Sequence, residues 1–162
     1  MKYISRSIDK TLEEWKESTT HKPLLLRGAR QVGKSSAVRH LGTQFKYFAE
    51  VNFESAKSIA TFFKGDLDVK LISSKISNYI QVPIIPGQTL LFLDEIQACP
   101  EAIMALRFFK EDYPELHVIA AGSLLEFALQ SLPTFGVGRI HSVFMYPMTF
   151  DEFLVAMDMG GL

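Results

Sequence analysis

The stretch from Gly28 to Ser35, GARQVGKS, has the residue types and the G-x-x-x-x-G-K-[ST] spacing of a phosphate-binding loop. Glycines let the backbone curl so that successive amide groups face an anion, and a helix that begins at the second glycine adds its positive dipole end. Lys34 can neutralise the β- and γ-phosphates, and the Ser35 hydroxyl can bind Mg²⁺. The predicted phosphate-binding residues are Gly28, Ala29, Arg30, Gln31, Val32, Gly33, Lys34, Ser35 and Ser36. The alternative is a strand-to-helix turn that matches the pattern by chance.

Two adjacent acids, Asp94 and Glu95, end the apolar run in LLFLDEI and form a second candidate group. Asp94 can join Ser35 in binding Mg²⁺, directly or through water. Glu95 can polarise a water molecule for in-line attack on the γ-phosphate. The alternative is that both acids only cap the turn that follows the strand.

The rest of the sequence predicts how these residues are positioned. Five apolar runs, most of them almost wholly apolar, alternate with helical segments: KPLLLRG, YFAEVNFE, TLLFLDEI, LHVIAAGS and IHSVFMYP. Such runs predict a parallel sheet covered by helices on both faces. The carboxyl ends of parallel strands share one edge, so Gly28, Asp94 and Ser123 should lie along it. A leading amphipathic helix is expected over residues 5–18, with Ile8, Leu12 and Trp15 at helical spacing.

Composition limits the class of protein. The 162 residues, 48% of them apolar, suit one domain with one core, and a net charge of −1 provides no global basic field for nucleic acid. The single cysteine, Cys99, excludes an internal disulfide and fits a reduced compartment. The apolar runs are too short to cross a bilayer, and the N-terminus does not resemble a signal peptide. The sequence therefore predicts a cytoplasmic protein that does not associate with membranes.

Four segments together resemble the AAA+ ATPase domain of a bacterial and archaeal family: RGARQVGKSS, LLFLDEIQ, VIAAGSLL and GRIHSVFMYPMTFDEF. In that family the ATPase is usually followed by an uncharacterised, nuclease-like C-terminal domain. The resemblance runs from about Lys22 to Phe153. It implies an α/β P-loop NTPase fold, a three-layer sandwich with a five-stranded parallel sheet in the order 5-1-4-3-2. It also implies ATP and Mg²⁺ as ligands and Glu95 as the catalytic base.

The sequence departs from the family pattern in three ways. Ala29 stands where proline is common, and Ser35 stands where threonine is common. Family members also continue into a helical lid and a second domain, whereas this sequence stops at MGGL. We therefore expect a leading helix over residues 1–21 and an AAA+ core without its lid over residues 22–162. Hydrolysis by this core alone is expected to be weak, because a lid would exclude water and a neighbour would supply an arginine.

Further polar residues have both a functional and an ordinary interpretation. Ser123 is a candidate sensor of the γ-phosphate and the attacking water, or else the N-cap of the helix LLEFALQS. Arg139 resembles the family's GR and would reach the nucleotide or a neighbouring subunit, or else it is an ordinary surface residue. Arg6 is a candidate for the border of the base pocket, and Arg107 is expected to be solvated or in a salt bridge. The motif FDEF is typical of a helix cap, and the four histidines lack the spacing of metal ligands.

The leading functional hypothesis is an ATPase that acts as a switch or motor for a partner domain. A nucleotide-binding interaction module without significant turnover is the alternative. A GTPase is disfavoured because the sequence has no N-K-x-D motif, and a small-molecule kinase would not need Glu95 beside Asp94. The resemblance implies a C-terminal partner domain outside this sequence, allows a homo-oligomer, and is the only reason to consider nucleic acid as a partner.

Overall fold

A computed structural model of the protein describes residues 2–130 and 138–159. In these ranges the chain forms seven α-helices: α1 (Ile8–Glu17), α2 (Lys34–Gly42), α3 (Lys57–Ala60), α4 (Val69–Ile80), α5 (Pro100–Asp112), α6 (Leu125–Gln130) and α7 (Phe150–Met159). The five strands are β1 (Leu24–Arg27), β2 (Tyr47–Asn52), β3 (Thr89–Asp94), β4 (His117–Gly122) and β5 (His141–Phe144). Short 3-10 helices cover Thr61–Phe63 and Ile96–Ala98. The sequence prediction extended α6 to Ser131, which lies outside the described residues, as does the terminal stretch 160–162.

The five strands form one parallel sheet in the order β2-β3-β4-β1-β5. Read from the other edge this order is 5-1-4-3-2, so the predicted topology is confirmed. The pairing register sets Asp94 opposite Asn52 and places Arg27 between Gly122 and Phe144. The carboxyl ends of the strands therefore meet at one edge, which is where the candidate site residues were expected.

Helices cover both faces of the sheet, and the side chains of each strand alternate between the two buried clusters that result. On one face Leu25, Leu91, Leu93, Val118 and Ala120 pack with residues of α4 and α5. On the other face Leu24, Leu26, Leu90, Phe92 and Ile119 pack with residues of α1 and α2. This alternation of buried side chains explains why the strands read as continuous apolar runs. The predicted three-layer sandwich is confirmed.

The helices begin and end where the sequence contains capping and turn residues. In α1, Leu12 and Trp15 are the buried residues, in agreement with the predicted leading helix. The Asp68 carboxylate accepts a hydrogen bond from the Leu71 amide and caps α4, and Pro100 occupies the first turn of α5. In the described ranges, no helix combines the length and the apolar character needed to cross a membrane.

Candidate nucleotide-binding site

The loop between β1 and α2 has the backbone shape that its glycines predicted. Gly28 has φ +151°, and Gly33, the N-cap of α2, has φ +104°. A Cβ atom on Gly28 would lie 2.5 Å from the carbonyl oxygen of Met145, so this position also requires glycine for space. The chain therefore turns sharply from a buried strand into the N-terminus of a helix, where the first amide groups have no acceptor within the helix.

Lys34 lies over this loop and is almost completely buried. Its Nζ donates hydrogen bonds to the carbonyl oxygens of Gly28 and Ala29, at 2.8 and 2.6 Å. Burial lowers the pKa of Lys34, and the carboxylates of Glu95 and Asp94 act in the opposite direction. A positive charge is thus held beside the loop amides, facing the two acids at the end of β3.

Ser35 and Asp94, the predicted Mg²⁺ ligands, are in direct contact although 59 positions separate them in the sequence. The Ser35 hydroxyl donates a hydrogen bond of 2.6 Å to Asp94 Oδ2, and the Glu95 amide donates to Asp94 Oδ1 at 2.9 Å. Burial raises the pKa of Asp94, while these two hydrogen bonds act to lower it. A hydroxyl and a carboxylate at one point are the oxygen ligands that suit Mg²⁺, which keeps waters and phosphate oxygens as its other ligands.

Glu95 begins a sharp turn at the end of β3. Its backbone is in the left-handed region, with φ 52° and ψ 46°, and the chain continues into the 3-10 helix Ile96–Ala98. The Glu95 side chain makes no capping hydrogen bond to that helix; instead its Oε2 accepts a 2.6 Å hydrogen bond from Gln97 Nε2. Of the described amides in this turn, the Asp94 carboxylate accepts a hydrogen bond only from that of Glu95 next to it, so neither acid makes a side-chain cap of the 3-10 helix. Sequence reasoning missed the contribution of Gln97.

Ser123 lies at the end of β4, next to the strand that leads into the phosphate loop. It is 3% exposed, and its Oγ has no hydrogen-bond partner among the described residues. The alternative prediction for Ser123 is the N-cap of α6. Within the described ranges, its hydroxyl does not make the hydrogen bond that defines such a cap. Ser123 and Ala29 help to line a cavity of about 280 Å³ at this edge of the sheet. A sensor role for Ser123 stays a prediction.

The structure does not bring Arg139 to the phosphate loop. Its guanidinium pairs with the carboxylate of Glu111, near the end of α5. Arg139 lies two residues before β5, and in a parallel sheet the start of a strand lies at the edge opposite to its end. Arg139 therefore lies away from the phosphate loop of its own chain in this structure, and a role for it at a nucleotide stays a prediction. The Arg30 side chain pairs with Glu54 and is mostly exposed, so only its backbone belongs to the loop.

Arg6 connects three segments that are distant in the sequence. Its guanidinium donates to the carbonyl oxygens of Val32 and Tyr146, at 2.6 and 3.0 Å, and its Nε pairs with Glu152 at 3.0 Å. Glu152 also exchanges hydrogen bonds with Thr149, so the FDEF motif forms the predicted cap of α7. Arg6 lines a cavity of about 330 Å³ between the N-terminal segment and the end of β5.

Arg107 and two of the histidines pack against aromatic rings. The Arg107 guanidinium lies over the Phe108 ring, and its Nε is buried without a hydrogen-bond partner among the described residues. Arg107 as a whole is half-buried, so the prediction that it is solvated or in a salt bridge stays a prediction. The rings of His21 and His117 stack with centroids 3.9 Å apart at the start of β4, far from the phosphate loop.

Comparisons with known proteins agree with this geometry. The AAA domain family matches residues 20–154. Among solved structures, the chain is similar to the Aeropyrum pernix Orc1 protein in complex with DNA, with a TM-score of 0.57 and 14% sequence identity. The similar region covers 93% of this chain and 47% of the Orc1 chain, so the chain spans about half the length of that protein. At this identity the likeness concerns the fold. A comparison with curated proteins gives no match.

The segment matched by the family spans most of the chain. It contains the phosphate loop, the two acids that end β3, and Ser123 at the end of β4. The sheet order and the site geometry agree with the AAA+ resemblance that the motifs carried. The chain belongs to the AAA domain family, as a nucleotide-binding module of the AAA+ type.

Proposed function

We propose that this chain binds ATP with Mg²⁺ and hydrolyses it, and that turnover switches or moves a partner domain. The observation that carries the proposal is the convergence of Lys34, the Ser35–Asp94 contact and Glu95 at one edge of the sheet. These groups supply a phosphate cation, two metal ligands and a base within one small volume. A strand-to-helix turn alone would need none of them.

Each residue has a distinct role in this proposal. The amides of the loop and the Lys34 ammonium bind the β- and γ-phosphates. Ser35 and Asp94 would hold Mg²⁺, which neutralises charge on the phosphate oxygens when it is bound. Glu95 orients a water molecule in line with the γ-phosphate and accepts its proton. Ser123, whose buried hydroxyl has no hydrogen-bond partner in the described part of the chain, is proposed to contact the γ-phosphate or that water.

The cavity that Arg6 borders is the proposed site of the nucleotide base. It lies beside Gly33, because a Cβ atom on Gly33 would come within 2.9 Å of the Arg6 guanidinium. Its lining also includes Ile8 and Met145, which offer apolar surface to a flat ring. A base at this position would connect the N-terminal segment with the phosphate loop.

For the molecule on which this chain acts, we propose only the class of partner. The family resemblance favours a C-terminal domain, and a homo-oligomer would allow Arg139, whose side chain is 46% exposed, to act on a neighbouring subunit. The Orc1 structure contains DNA, and nucleic acid is a hypothesis for this chain on the family alone. We propose a cytoplasmic location. A module that binds ATP without turnover remains the alternative that experiment must exclude.

ATP binding is tested by titration calorimetry on wild-type protein and two lysine variants. Lys34→Ala should abolish measurable ATP binding, because it removes the cation that faces the phosphates. The matched control is Lys64→Ala, which changes an exposed lysine in the segment before α4 and should bind as wild type does. Wild-type affinity in Lys34→Ala would show that the loop is not the phosphate site.

Turnover is tested by phosphate release with Glu95→Gln. This variant should bind ATP and Mg²⁺ normally and hydrolyse roughly 10²-fold more slowly, the usual scale for loss of a positioned base. Glu115→Gln, in an exposed turn before β4, is the control and should keep the wild-type rate. A wild-type protein that binds ATP but releases no phosphate would favour the interaction module.

A further inference from the structure

Gln97 holds the carboxylate of Glu95 through a short hydrogen bond. The two residues flank Ile96 in the turn after β3, and Gln97 Nε2 lies 2.6 Å from Glu95 Oε2. Both side chains are half-buried. A hydrogen bond to an ionised acceptor is stronger than one between neutral groups, and it restricts a side chain that would otherwise rotate. The amide of Gln97 can therefore select one orientation of the Glu95 carboxylate.

Glu95 is close enough to the phosphate loop to act on the charge of Lys34. Of the two acids that act on Lys34, Glu95 has the larger effect in raising the pKa of the ammonium. The Lys34 ammonium is bound to the carbonyl oxygens of Gly28 and Ala29, so its position is fixed within the loop. The carboxylate held by Gln97 thus adjoins the Ser35–Asp94 contact, because the Glu95 amide donates a hydrogen bond to Asp94, which in turn accepts one from Ser35 of the loop.

The other end of the Gln97 amide reaches the end of β4. A Cβ atom built on Gly122 would overlap Gln97 Oε1, so the two are packed directly against each other. Within the described ranges this Oε1 is buried without a hydrogen-bond partner, and the same holds for Oγ of Ser123, the next residue after Gly122. Buried polar atoms without partners are rare in proteins and costly. Both atoms belong to residues at the carboxyl edge of the sheet, where they can form hydrogen bonds with groups that the candidate site binds.

We propose that Gln97 is a positioning residue for ATP hydrolysis. Its amide nitrogen orients the Glu95 carboxylate toward the attacking water, and its amide oxygen fixes that orientation against the strand end that carries Ser123. Gln97 acts through Glu95 and need not touch the nucleotide. This inference rests on the proposed ATPase function.

The first test is a double-mutant cycle in a phosphate-release assay. Gln97→Leu should lower kcat by about 10-fold to 10²-fold, the scale of a misplaced reacting group, and leave ATP affinity within about twofold of wild type. In a Glu95→Gln background the same substitution should have no further effect, because its action passes through Glu95. The control is Gln44→Leu, which removes an exposed amide that donates to Glu13 and should not change kcat.

Gly122→Ala is a second variant that should separate the Gln97 amide from the Glu95 carboxylate. Gly122 is a strand residue outside the left-handed region, so alanine adds no backbone strain, and its methyl group would displace the Gln97 amide. This variant should fold, bind ATP and lose kcat as Gln97→Leu does, with no added loss when the two are combined. If Gln97→Leu does not fold, Gly122→Ala still tests the proposal.

The possible outcomes separate the inference from the proposed function. An active wild type with unchanged kcat in both variants overturns the inference alone. Losses that add fully in the Glu95→Gln background also overturn it, because Gln97 would then act independently of Glu95. A wild type that binds ATP without releasing phosphate overturns the ATPase function, and the inference with it.

Discussion

At the scale of single residues, the candidate site holds charge in positions that water scarcely reaches. Asp94 is 4% exposed and Lys34 is 8% exposed. Burial acts against the charged form of each, lowering the pKa of Lys34 and raising that of Asp94. A buried ammonium and a buried carboxylate lower the stability of the fold. Their presence is typical of a functional site, where stability is lost in exchange for activity.

Asp94→Asn should therefore stabilise the protein while damaging the site. The pKa of Asp94 is raised on folding, so its favourable contribution is complete below the unfolded pKa and is lost as pH rises through the folded pKa. At pH 7, above the ordinary pKa of 3.8, the wild type bears this loss. Asparagine has no charge and can keep both hydrogen bonds, since the Ser35 hydroxyl also accepts. We expect the Tm at pH 7 without Mg²⁺ to rise by about 2 °C or more.

The same variant should need far more Mg²⁺ to support ATP binding, by about tenfold or more in a Mg²⁺ titration. Asp66→Asn, in an exposed loop, serves as the control and should change neither quantity. A Tm for Asp94→Asn at or below that of wild type would show that the buried carboxylate is not a source of instability.

At the scale of helices and strands, topology decided which sequence predictions succeeded. Continuous apolar runs predicted the strands because both sheet faces are buried, and the shared carboxyl edge predicted the meeting of Ser35 with Asp94. The same rule, applied to Arg139, would have placed that residue at the opposite edge. No pattern in the sequence indicated the Gln97–Glu95 contact or the Arg6–Glu152 pair, because both depend on how side chains meet in three dimensions.

The start of α7 provides a prediction at this scale. Burial acts to raise the pKa of Glu152, but hydrogen bonds from Thr149, Ser7 and Arg6 outweigh it and lower the pKa to about 2. The folded pKa lies below the ordinary value of 4.5, so this stabilisation is present above pH 4.5 and is lost as pH falls toward 2. Glu152→Gln should lower Tm at pH 7 and reduce the loss of Tm between pH 5 and pH 3. Glu14→Gln, on the exposed face of α1, should leave both unchanged.

The start of β4 should lose stability at a higher pH than the start of α7, because a histidine and not a carboxylate titrates there. Burial lowers the pKa of His117 below 6.5, and the neighbouring His21 ring and Lys16 lower it further, while the Lys16 carbonyl and Glu17 oppose them. The folded state thus resists protonation, and stability should fall as pH drops below 6.5 toward the folded pKa. His117→Phe should reduce that slope in urea unfolding between pH 7.5 and 5.5. His141→Phe, at an exposed position, is the control, and an unchanged slope in His117→Phe would contradict this origin.

At the scale of the whole molecule, Arg6 connects the phosphate loop to the two ends of the described chain. One guanidinium binds Val32 in the loop, Tyr146 after β5 and Glu152 in α7. The Ser7 amide and hydroxyl also donate to Glu152, so the N-terminal segment and α7 are joined directly. A change in the loop on nucleotide binding can therefore reach α7 through a single side chain.

This connection predicts where ATP binding changes amide hydrogen exchange. With a non-hydrolysable ATP analogue and Mg²⁺, exchange should slow in the loop 28–36 and also in residues 5–9 and 144–152, because ordering the loop fixes the Val32 carbonyl that Arg6 binds. Arg6→Ala should keep the protection of the loop and lose that of the two distant segments. Arg39→Ala removes an arginine that pairs with Glu50 on the surface, and it should preserve the wild-type pattern. If protection in 144–152 persisted in Arg6→Ala, the coupling would run through the sheet, where Met145 crosses Gly28, and not through the arginine.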